Sequence, residues 1–328
     1  MSDKKTTDWV VAYASAIGNG HIQFNIPCQD SCAHKRIDDN WAIAVVADGA
    51  GSARLSHIGS DFVVRNALHC FEEVLERTKW SEENFPSDKE WRTEALRALQ
   101  IVMQRLLKFS EVKEHKFSDL ACTVLVTIYS PFGALSVHIG DGRAAYSDKV
   151  GEWKALITPF RGDEANETVF ITSAIWTTDG VDQFVLTDTL KTKIRGFALM
   201  SDGCEKGSFV INVKDEETQK YYDPNQPYPK FFEPNVHGLR QLKKEGKTQE
   251  EINKLWEGFL TAGHKQFKHE IDDKTMILGV ITEDTEEHKP EPKEEKEMPK
   301  TTPEPKKDTP QEAPKAATTD TEDTPKDR

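Results

Sequence analysis

The segment VVADGAGSARLSHIGS, residues 45–60, places one acidic residue at a defined point between two regular elements. The apolar run Ala44–Ala47 predicts a buried strand that ends at Asp48, and Gly49-Ala50-Gly51 follows it. Small residues allow backbone carbonyls and incoming oxygen atoms to approach closely. From Leu55 onward the apolar spacing becomes that of a helix. The segment therefore predicts a strand, a turn that presents Asp48, and a long helix.

A similar arrangement of an apolar run beside an aspartate recurs at three other places. These are VHIGDGR at 137–143, ALMSDG at 198–203 and IDDKTMILGV at 271–280. An Asp-Gly pair alone is often only a turn, so the inference depends on the repetition. Several acids at strand ends, with few histidines near them and no Cys/His cluster, indicate a site for a hard cation such as Mg²⁺ or Mn²⁺.

The charge and the cysteines limit the class of protein. The chain has 328 residues and a formal net charge of −13, which argues against nucleic-acid binding and against docking on an anionic membrane surface. The first eight residues are polar, and no apolar run approaches the roughly 20 residues that cross a bilayer. The five cysteines have no framework spacing, which favours reduced thiols and predicts a cytoplasmic protein.

The order of the predicted elements indicates an α+β fold. Two packed antiparallel sheets with helices outside fit this order best. Residues 207–247 carry four prolines and are interpreted as a long surface excursion. The predicted elements are strands at 9–17 and 41–47, helices at 55–78 and 91–112, a strand-rich region at 121–157, a strand at 196–200, a helix at 249–268 and a strand at 275–281.

The composition changes sharply at about Glu283. The segment from there to the end has no aromatic residue and holds eight of the sixteen prolines, mixed with Glu, Lys, Thr and Asp. Such a segment cannot bury enough apolar area to offset its chain entropy, so we predict a disordered tail at 283–328 after a single domain at 1–282. The tail is interpreted as a solubilising segment, or as a tether or phosphoacceptor segment, since Thr-Pro recurs in it.

Taken together, the motifs resemble those of the metal-dependent Ser/Thr protein phosphatases of the protein phosphatase 2C type, in a bacterial branch. The resemblance covers residues 9–282. It implies an α-β-β-α sandwich, in which helix pairs flank the two antiparallel sheets, with metals at one edge. The motifs are Gln29-Asp30, Asp48-Gly49-x-Gly51, the strand after Thr123, Gly140-Asp141-Gly142-Arg143, Ser201-Asp202-Gly203 and Asp272-Asp273-x-Thr275.

The resemblance implies hydrolysis of phosphoserine and phosphothreonine on proteins, through a dinuclear Mn²⁺ or Mg²⁺ centre and a metal-activated water. By position, Asp48 matches the carboxylate that bridges the two metals, and the backbone carbonyl of Gly49 matches a ligand of one of them. Asp202 and Asp272 match further ligands. Asp48, Asp202 and Asp272 are therefore the predicted catalytic acids.

Three other residues receive roles by the same resemblance, and two more are candidates to replace an arginine that the family often uses. Asp30 matches an acid that holds metal-bound water, and Asp141 matches a ligand of a third, weaker metal. Asp273 occupies the position next to Asp272 where the family has Asn, and it is included among the metal ligands. His21 and Arg54 are the candidates for binding the substrate phosphate.

Two departures from the family pattern support an alternative function. Gln29 stands where the family commonly has Glu, and Asn25 stands where an Arg often binds the substrate phosphate. The alternative is a catalytically weak or inactive module that binds a phosphorylated partner. A third interpretation is an adaptor that functions through its tail. The predicted partners are a phosphorylated protein substrate and a cognate Ser/Thr kinase, with no nucleic acid and no membrane.

Overall fold

The computed structural model describes residues 8–160 and 168–282. The strands are β1 Trp9–Ala16, β2 Ser31–Arg36, β3 Ala42–Ala47, β4 Val124–Ser130, β5 Gly133–Ile139, β6 Arg143–Lys149, β7 Glu152–Ala155, β8 Leu186–Leu190, β9 Gly196–Met200, β10 Phe209–Val210, β11 Val213–Lys214, β12 Tyr221–Tyr222, β13 Gln226–Pro227 and β14 Lys274–Ile281. The helices are α1 Asn19–Phe24, α2 Ser56–Thr78, α3 Asp88–Val112, α4 Thr178–Phe184, α5 Glu205–Ser208, α6 Pro229–Lys244, α7 Gln249–Gly258 and α8 Lys265–Lys268.

Ten strands form two five-stranded sheets in which all neighbours are antiparallel. One sheet has the order β1-β14-β9-β6-β7 and the other the order β2-β3-β4-β5-β8. All residues of β3, β4, β5 and β9 are buried, because each of these strands has a layer of the protein against both of its faces.

Three apolar layers alternate with the sheets. Alternate residues of β3 and β4, such as Ile43 and Val126, pack against α2 and α3. The other face of the same sheet, with Ala44 and Leu125, packs against the β9 side chain of Leu199 in the second sheet. Helices α6 and α7 cover the outer face of that second sheet. The predicted α-β-β-α sandwich with a helix pair on each side is therefore confirmed.

The interpretation of 207–247 as a surface excursion was wrong for its second half. Residues 229–244 form α6, which buries Phe231, Phe232 and Leu239 against the sheet. Pro229 is the first residue of this helix, where its missing N–H group costs nothing. Pro234 lies inside the helix, and the burial of the aromatic face offsets the hydrogen bond that it removes. The prolines alone therefore did not show that this segment contains a buried helix.

The predicted helix at 249–268 is interrupted. Helix α7 ends at Gly258, a wider π turn follows at Phe259–Gly263, and α8 begins only after His264, which is extended. None of the helices in the described ranges is both long and apolar enough to span a membrane. The predicted disordered tail, 283–328, lies outside the described residues.

Candidate metal and phosphate site

Five aspartates lie at strand ends that meet at one edge of the two sheets. Asp48 directly follows β3, and Asp141 and Asp202 come two residues after the ends of β5 and β9. Asp30 directly precedes β2, and Asp272 comes two residues before β14. Since neighbouring strands are antiparallel, the end of one strand lies beside the start of the next. The topology thus brings together these five acids, which are far apart in the sequence, and we call them the carboxylate cluster.

Hydrogen bonds join the two sheets at this edge. The hydroxyl of Ser201 donates to Asp30 Oδ2 at 2.7 Å and accepts from the backbone N–H of Thr275 at 3.0 Å. The backbone N–H of Ser201 in turn donates to the Thr275 carbonyl at 3.0 Å. These contacts fix the loop of Asp202 relative to the loop of Asp272 and to Asp30.

The backbone of Asp48 is fixed by Thr123, which precedes β4. The Asp48 N–H donates to Thr123 Oγ1 at 2.9 Å, and the Thr123 N–H donates to the Asp48 carbonyl at 2.8 Å. Gly49 then passes so close to Gln29 that a Cβ atom would lie 2.5 Å from the Gln29 carbonyl oxygen. Only glycine fits this approach, which explains the Asp48-Gly49 pair.

Gly203 permits a similar approach between the loops of Asp202 and Asp272. A Cβ atom at Gly203 would overlap the backbone carbonyl oxygen of Asp273. We expect Gly203→Ala to destabilise the fold by about 1–3 kcal/mol, because the two loops must separate to accept the methyl group. Urea denaturation monitored by circular dichroism measures this difference.

Gly258→Ala is the matched control for this prediction. Gly258 has helical dihedral angles, and a Cβ atom there would meet nothing within 4 Å. We expect no loss of stability at this position, and a gain of up to about 1 kcal/mol. Equal losses in the two variants would contradict the proposed close packing at Gly203.

The carboxylates repel one another. Burial, followed by the charges of Asp30 and Asp202, raises the pKa of Asp48 well above its usual range. Burial raises the pKa of Asp30 to about 8, and Asp273 adds to the effect. Burial and the charges of Asp141 and Asp272 raise the pKa of Asp202 to about 7. The protein therefore concentrates negative charge here at the expense of its own stability.

This donor set fits hard divalent cations. The side chains of Asp30, Asp48, Asp141, Asp202 and Asp272 all offer carboxylate oxygens. Asp202 Oδ1 is buried without a hydrogen-bond partner among the described residues. Asp48, Asp141 and Asp202 are half-buried and Asp272 is exposed, so water reaches the cluster. Within the described ranges, no three His, Cys, Asp or Glu side chains are arranged around one point as a ligand group. A cation would therefore draw the carboxylates closer together.

Asp273 has different contacts from its neighbour Asp272. Its side chain is buried, Oδ1 accepts from the Gly18 N–H at 2.7 Å, and Oδ2 accepts from the Gln29 N–H at 2.5 Å. Nδ1 of His21 lies 2.9 Å from Asp273 Oδ1 at ion-pair distance, without hydrogen-bond geometry. The carboxylate of Asp273 thus ties together the start of α1, the Gln29 segment and β14.

The two predicted phosphate-binding residues lie in different surroundings. Burial raises the pKa of Asp272, and the nearby His21 opposes this shift in part, so this histidine lies near the cluster. The Arg54 side chain is 73% exposed, and its Nη2 lies 3.3 Å from Asp119 Oδ2. The structure therefore places His21 beside the carboxylates and gives Arg54 a surface ion pair.

Arg143 is a residue to which the sequence motif assigned no role. Its side chain is completely buried at the start of β6, two residues after Asp141. The guanidinium donates to Glu205 Oε2 at 3.0 and 2.9 Å and to Asn225 Oδ1 at 2.9 Å, and it also pairs with Asp223. These contacts connect the loop of Asp141, the helix after Asp202 and the segment before α6. An arginine at the start of a largely apolar strand is the sequence signal that could have indicated such a cluster.

Comparison with known proteins shows the family of this chain. The family described as Protein phosphatase 2C matches residues 17–256. Serine/threonine-protein phosphatase 3 of Escherichia coli strain K12 is 30% identical over 283 residues, which are 84% of this chain and 99% of that protein. The crystal structure of a bacterial serine phosphatase superposes with a TM-score of 0.50 at 15% identity, over 84% of this chain and 98% of that chain, which supports the fold alone. The chain belongs to the protein phosphatase 2C family.

Proposed function

We propose that this protein is a metal-dependent phosphatase that hydrolyses phosphoserine and phosphothreonine on proteins. The observation that carries the proposal is the group of acids at one solvent-accessible edge, where burial and then the charges of neighbouring acids raise the pKa values of Asp48 and Asp202. Such a concentration of negative charge destabilises the fold unless a cation neutralises it. Family membership and the similarity to Serine/threonine-protein phosphatase 3 support the substrate class.

Four residues would hold a pair of Mn²⁺ or Mg²⁺ ions. We assign the bridging position to Asp48, one ligand to the Gly49 carbonyl, and the remaining carboxylate ligands to Asp202 and Asp272. Asp141 would serve a third ion. When bound, the ions polarise the phosphoryl oxygens and lower the pKa of a coordinated water.

The other residues of the chain position this group. Asp30 accepts a hydrogen bond from the Ser201 hydroxyl at the edge of the cluster, and we assign it to hold a metal-bound water. We propose that Asp273 has a structural role at the site, because both of its carboxylate oxygens already accept hydrogen bonds from backbone N–H groups. His21, beside Asp273, is the side chain that we assign to the substrate phosphate, and Arg54 is the more distant candidate.

The activity is assigned to residues 1–282, and the tail at 283–328 is given no part in the chemistry. The partners that we propose are a phosphorylated protein and the Ser/Thr kinase that produces it. The place of action that we propose is the cytoplasm.

The test is hydrolysis of a phosphoserine peptide by the full chain, with and without Mn²⁺. We expect turnover that saturates with Mn²⁺ and that excess EDTA lowers by at least about 100-fold, because the carboxylates alone repel the phosphate. Phosphate release measures the rate, and calorimetry measures Mn²⁺ binding in parallel.

Phosphate release and calorimetry together also distinguish the phosphatase from the alternative function. A catalytically inactive module that binds a phosphorylated partner is favoured if Mn²⁺ and the phosphopeptide bind but no phosphate is released. The alternative is supported by Gln29 and by Asn25, which is exposed and left-handed at the end of α1. Turnover that EDTA does not affect would contradict both proposals.

A further inference from the structure

A cavity of about 520 Å³ lies between residues of α5 and α8. We call it the Lys206–Lys265 cavity, after the two lysines that line it together with Phe209, Tyr228 and His264. Its volume is in the range of sites that hold one small ligand or one or two side chains. Phe209 is buried, whereas Tyr228 is 38% exposed, so the cavity has an apolar floor and an accessible rim.

The position of Lys206 connects this cavity to the proposed active site. Lys206 follows Asp202 by four residues, and its Nζ donates to Glu270 Oε2 at 2.9 Å. Glu270 is buried and precedes Asp272 by two residues. One side of the cavity therefore lies next to the segments that carry Asp202 and Asp272.

Contacts with neighbouring elements fix the residues that line the cavity. Phe209 lies under the Arg143 guanidinium, with 4.9 Å from Cζ to the ring centroid. The Tyr228 N–H donates to the Ser208 carbonyl at 2.8 Å. A Cβ atom at Gly207 would lie 2.6 Å from the Phe267 ring, so α5 packs directly on α8. Packing contacts and hydrogen bonds therefore define the shape of the cavity.

The charged side chains that line the cavity are lysines, with no acid among the lining residues, although Lys206 is paired with Glu270 outside the cavity lining. The chain carries 56 acidic and 43 basic residues, but the segment 264–269, HKQFKH, contains two lysines, two histidines and no acid. Lys265 is exposed and pairs with no acidic side chain of the described residues. Lys206 is paired but its side chain remains 55% exposed. A positive patch on an acidic protein favours a negatively charged ligand group.

We propose that the Lys206–Lys265 cavity binds an acidic side chain, Asp or Glu, near the phosphorylated residue of the substrate protein. The proposal rests on the phosphatase function above and adds a preference among substrates. The carboxylate of the substrate would be attracted to Lys265 and Lys206, and its methylene groups would pack on the apolar floor. The protein would therefore select phosphoserine and phosphothreonine sites with acidic neighbours.

The test compares pairs of phosphoserine peptides that differ only by Glu or Gln at the flanking positions. With the full chain and Mn²⁺, we expect kcat/KM to be about fivefold higher for the Glu peptide, as a partly exposed charge pair would give. Lys265→Glu should remove or invert this ratio, and raising the salt concentration should reduce it, because screening weakens exposed pairs.

Lys254→Glu is the matched control. Lys254 is an exposed lysine on α7, so the variant makes the same change in net charge away from the cavity. This variant should keep the wild-type ratio of kcat/KM between the Glu and Gln peptides. If it abolishes the preference as Lys265→Glu does, or if the wild type shows no preference, the proposed cavity function is overturned.

Fluorescence anisotropy with the same labelled peptides separates this proposal from the phosphatase proposal. If neither peptide is hydrolysed, the phosphatase function fails, but a lower Kd for the Glu peptide that is lost in Lys265→Glu still supports the cavity. If both peptides are hydrolysed at equal rates and bind with equal Kd, the phosphatase function stands and the cavity proposal fails.

Discussion

We expect Asp48→Asn to lower the Mn²⁺-dependent hydrolysis of a phosphoserine peptide by on the order of 10³-fold or more. Loss of an outer partner of a metal site already costs about 10–100-fold, and Asp48 is assigned the bridging position. Asparagine keeps the size of the side chain, so the fold should persist. Phosphate release by the variant and the wild type measures the effect, and circular dichroism verifies the fold.

The same substitution should stabilise the metal-free protein. Burial raises the pKa of Asp48, and the surrounding charges of Asp30, Asp202, Asp272 and Asp141 raise it further. Neutral asparagine removes this repulsion, and each kcal/mol gained raises the melting temperature by about 2–4 °C in a domain of this size. A variant that is less active but more stable without metal would distinguish a functional carboxylate from a structural one.

The sign of the pH dependence follows from the raised pKa of Asp48. In the unfolded chain Asp48 ionises near its usual pKa of about 4, whereas in the folded protein it holds its proton to higher pH. Stability is therefore lost as the pH rises above the unfolded value, through the pKa of the folded state. The advantage of Asp48→Asn in the presence of EDTA should grow with pH and disappear below about pH 4.

Asp39→Asn is the control for both measurements, because the Asp39 side chain is 78% exposed in a surface loop. It should leave activity and melting temperature close to those of the wild type. If Asp48→Asn retains more than a tenth of the activity, or melts below the wild type in EDTA, the assignment of Asp48 is wrong.

We expect the second large effect at Arg143. Arg143→Met should lower the free energy of unfolding by about 3–5 kcal/mol, because it removes the buried guanidinium that pairs with both Glu205 and Asp223. Methionine retains much of the volume, so lost packing contributes less than the loss of the two ion pairs. Chemical denaturation in urea measures the change.

Two further variants test the reason for this loss. Adding Asp223→Asn to Arg143→Met should recover part of the stability, since it neutralises one of the two carboxylates that lose their ion pair with Arg143. Arg77→Met is the surface control: Arg77 forms two hydrogen bonds with Glu94 but is 48% exposed, and its loss should cost no more than about 1 kcal/mol. Similar losses for Arg77→Met and Arg143→Met would show that burial of the pair does not matter.

Much of the fold could be predicted from local patterns. The β3 strand and helices α2 and α3 lie within a few residues of their predicted bounds, because apolar spacing directly reports which face is buried. Helix α3 begins earlier than predicted, at Asp88, because Ser87 and Glu90 form a capping box. Helix α6 was missed because its prolines outweighed its aromatic face in a reading limited to local sequence.

The sequence by itself determined which residues stand at strand ends. An apolar run followed by Asp and Gly specifies a strand, its end and an acid at that point, since each feature depends only on neighbours in the chain. The positions of Asp48, Asp141 and Asp202 were therefore predictable one by one.

Only the tertiary structure decided what these residues contact. Asp272 and Asp273 are adjacent, but the Asp273 carboxylate is held by Gly18, 255 residues away, while Asp272 remains exposed. Arg143 likewise meets Asp223 across 80 residues. Such contacts depend on how antiparallel strands bring distant segments together, and no periodicity within either segment specifies its partner.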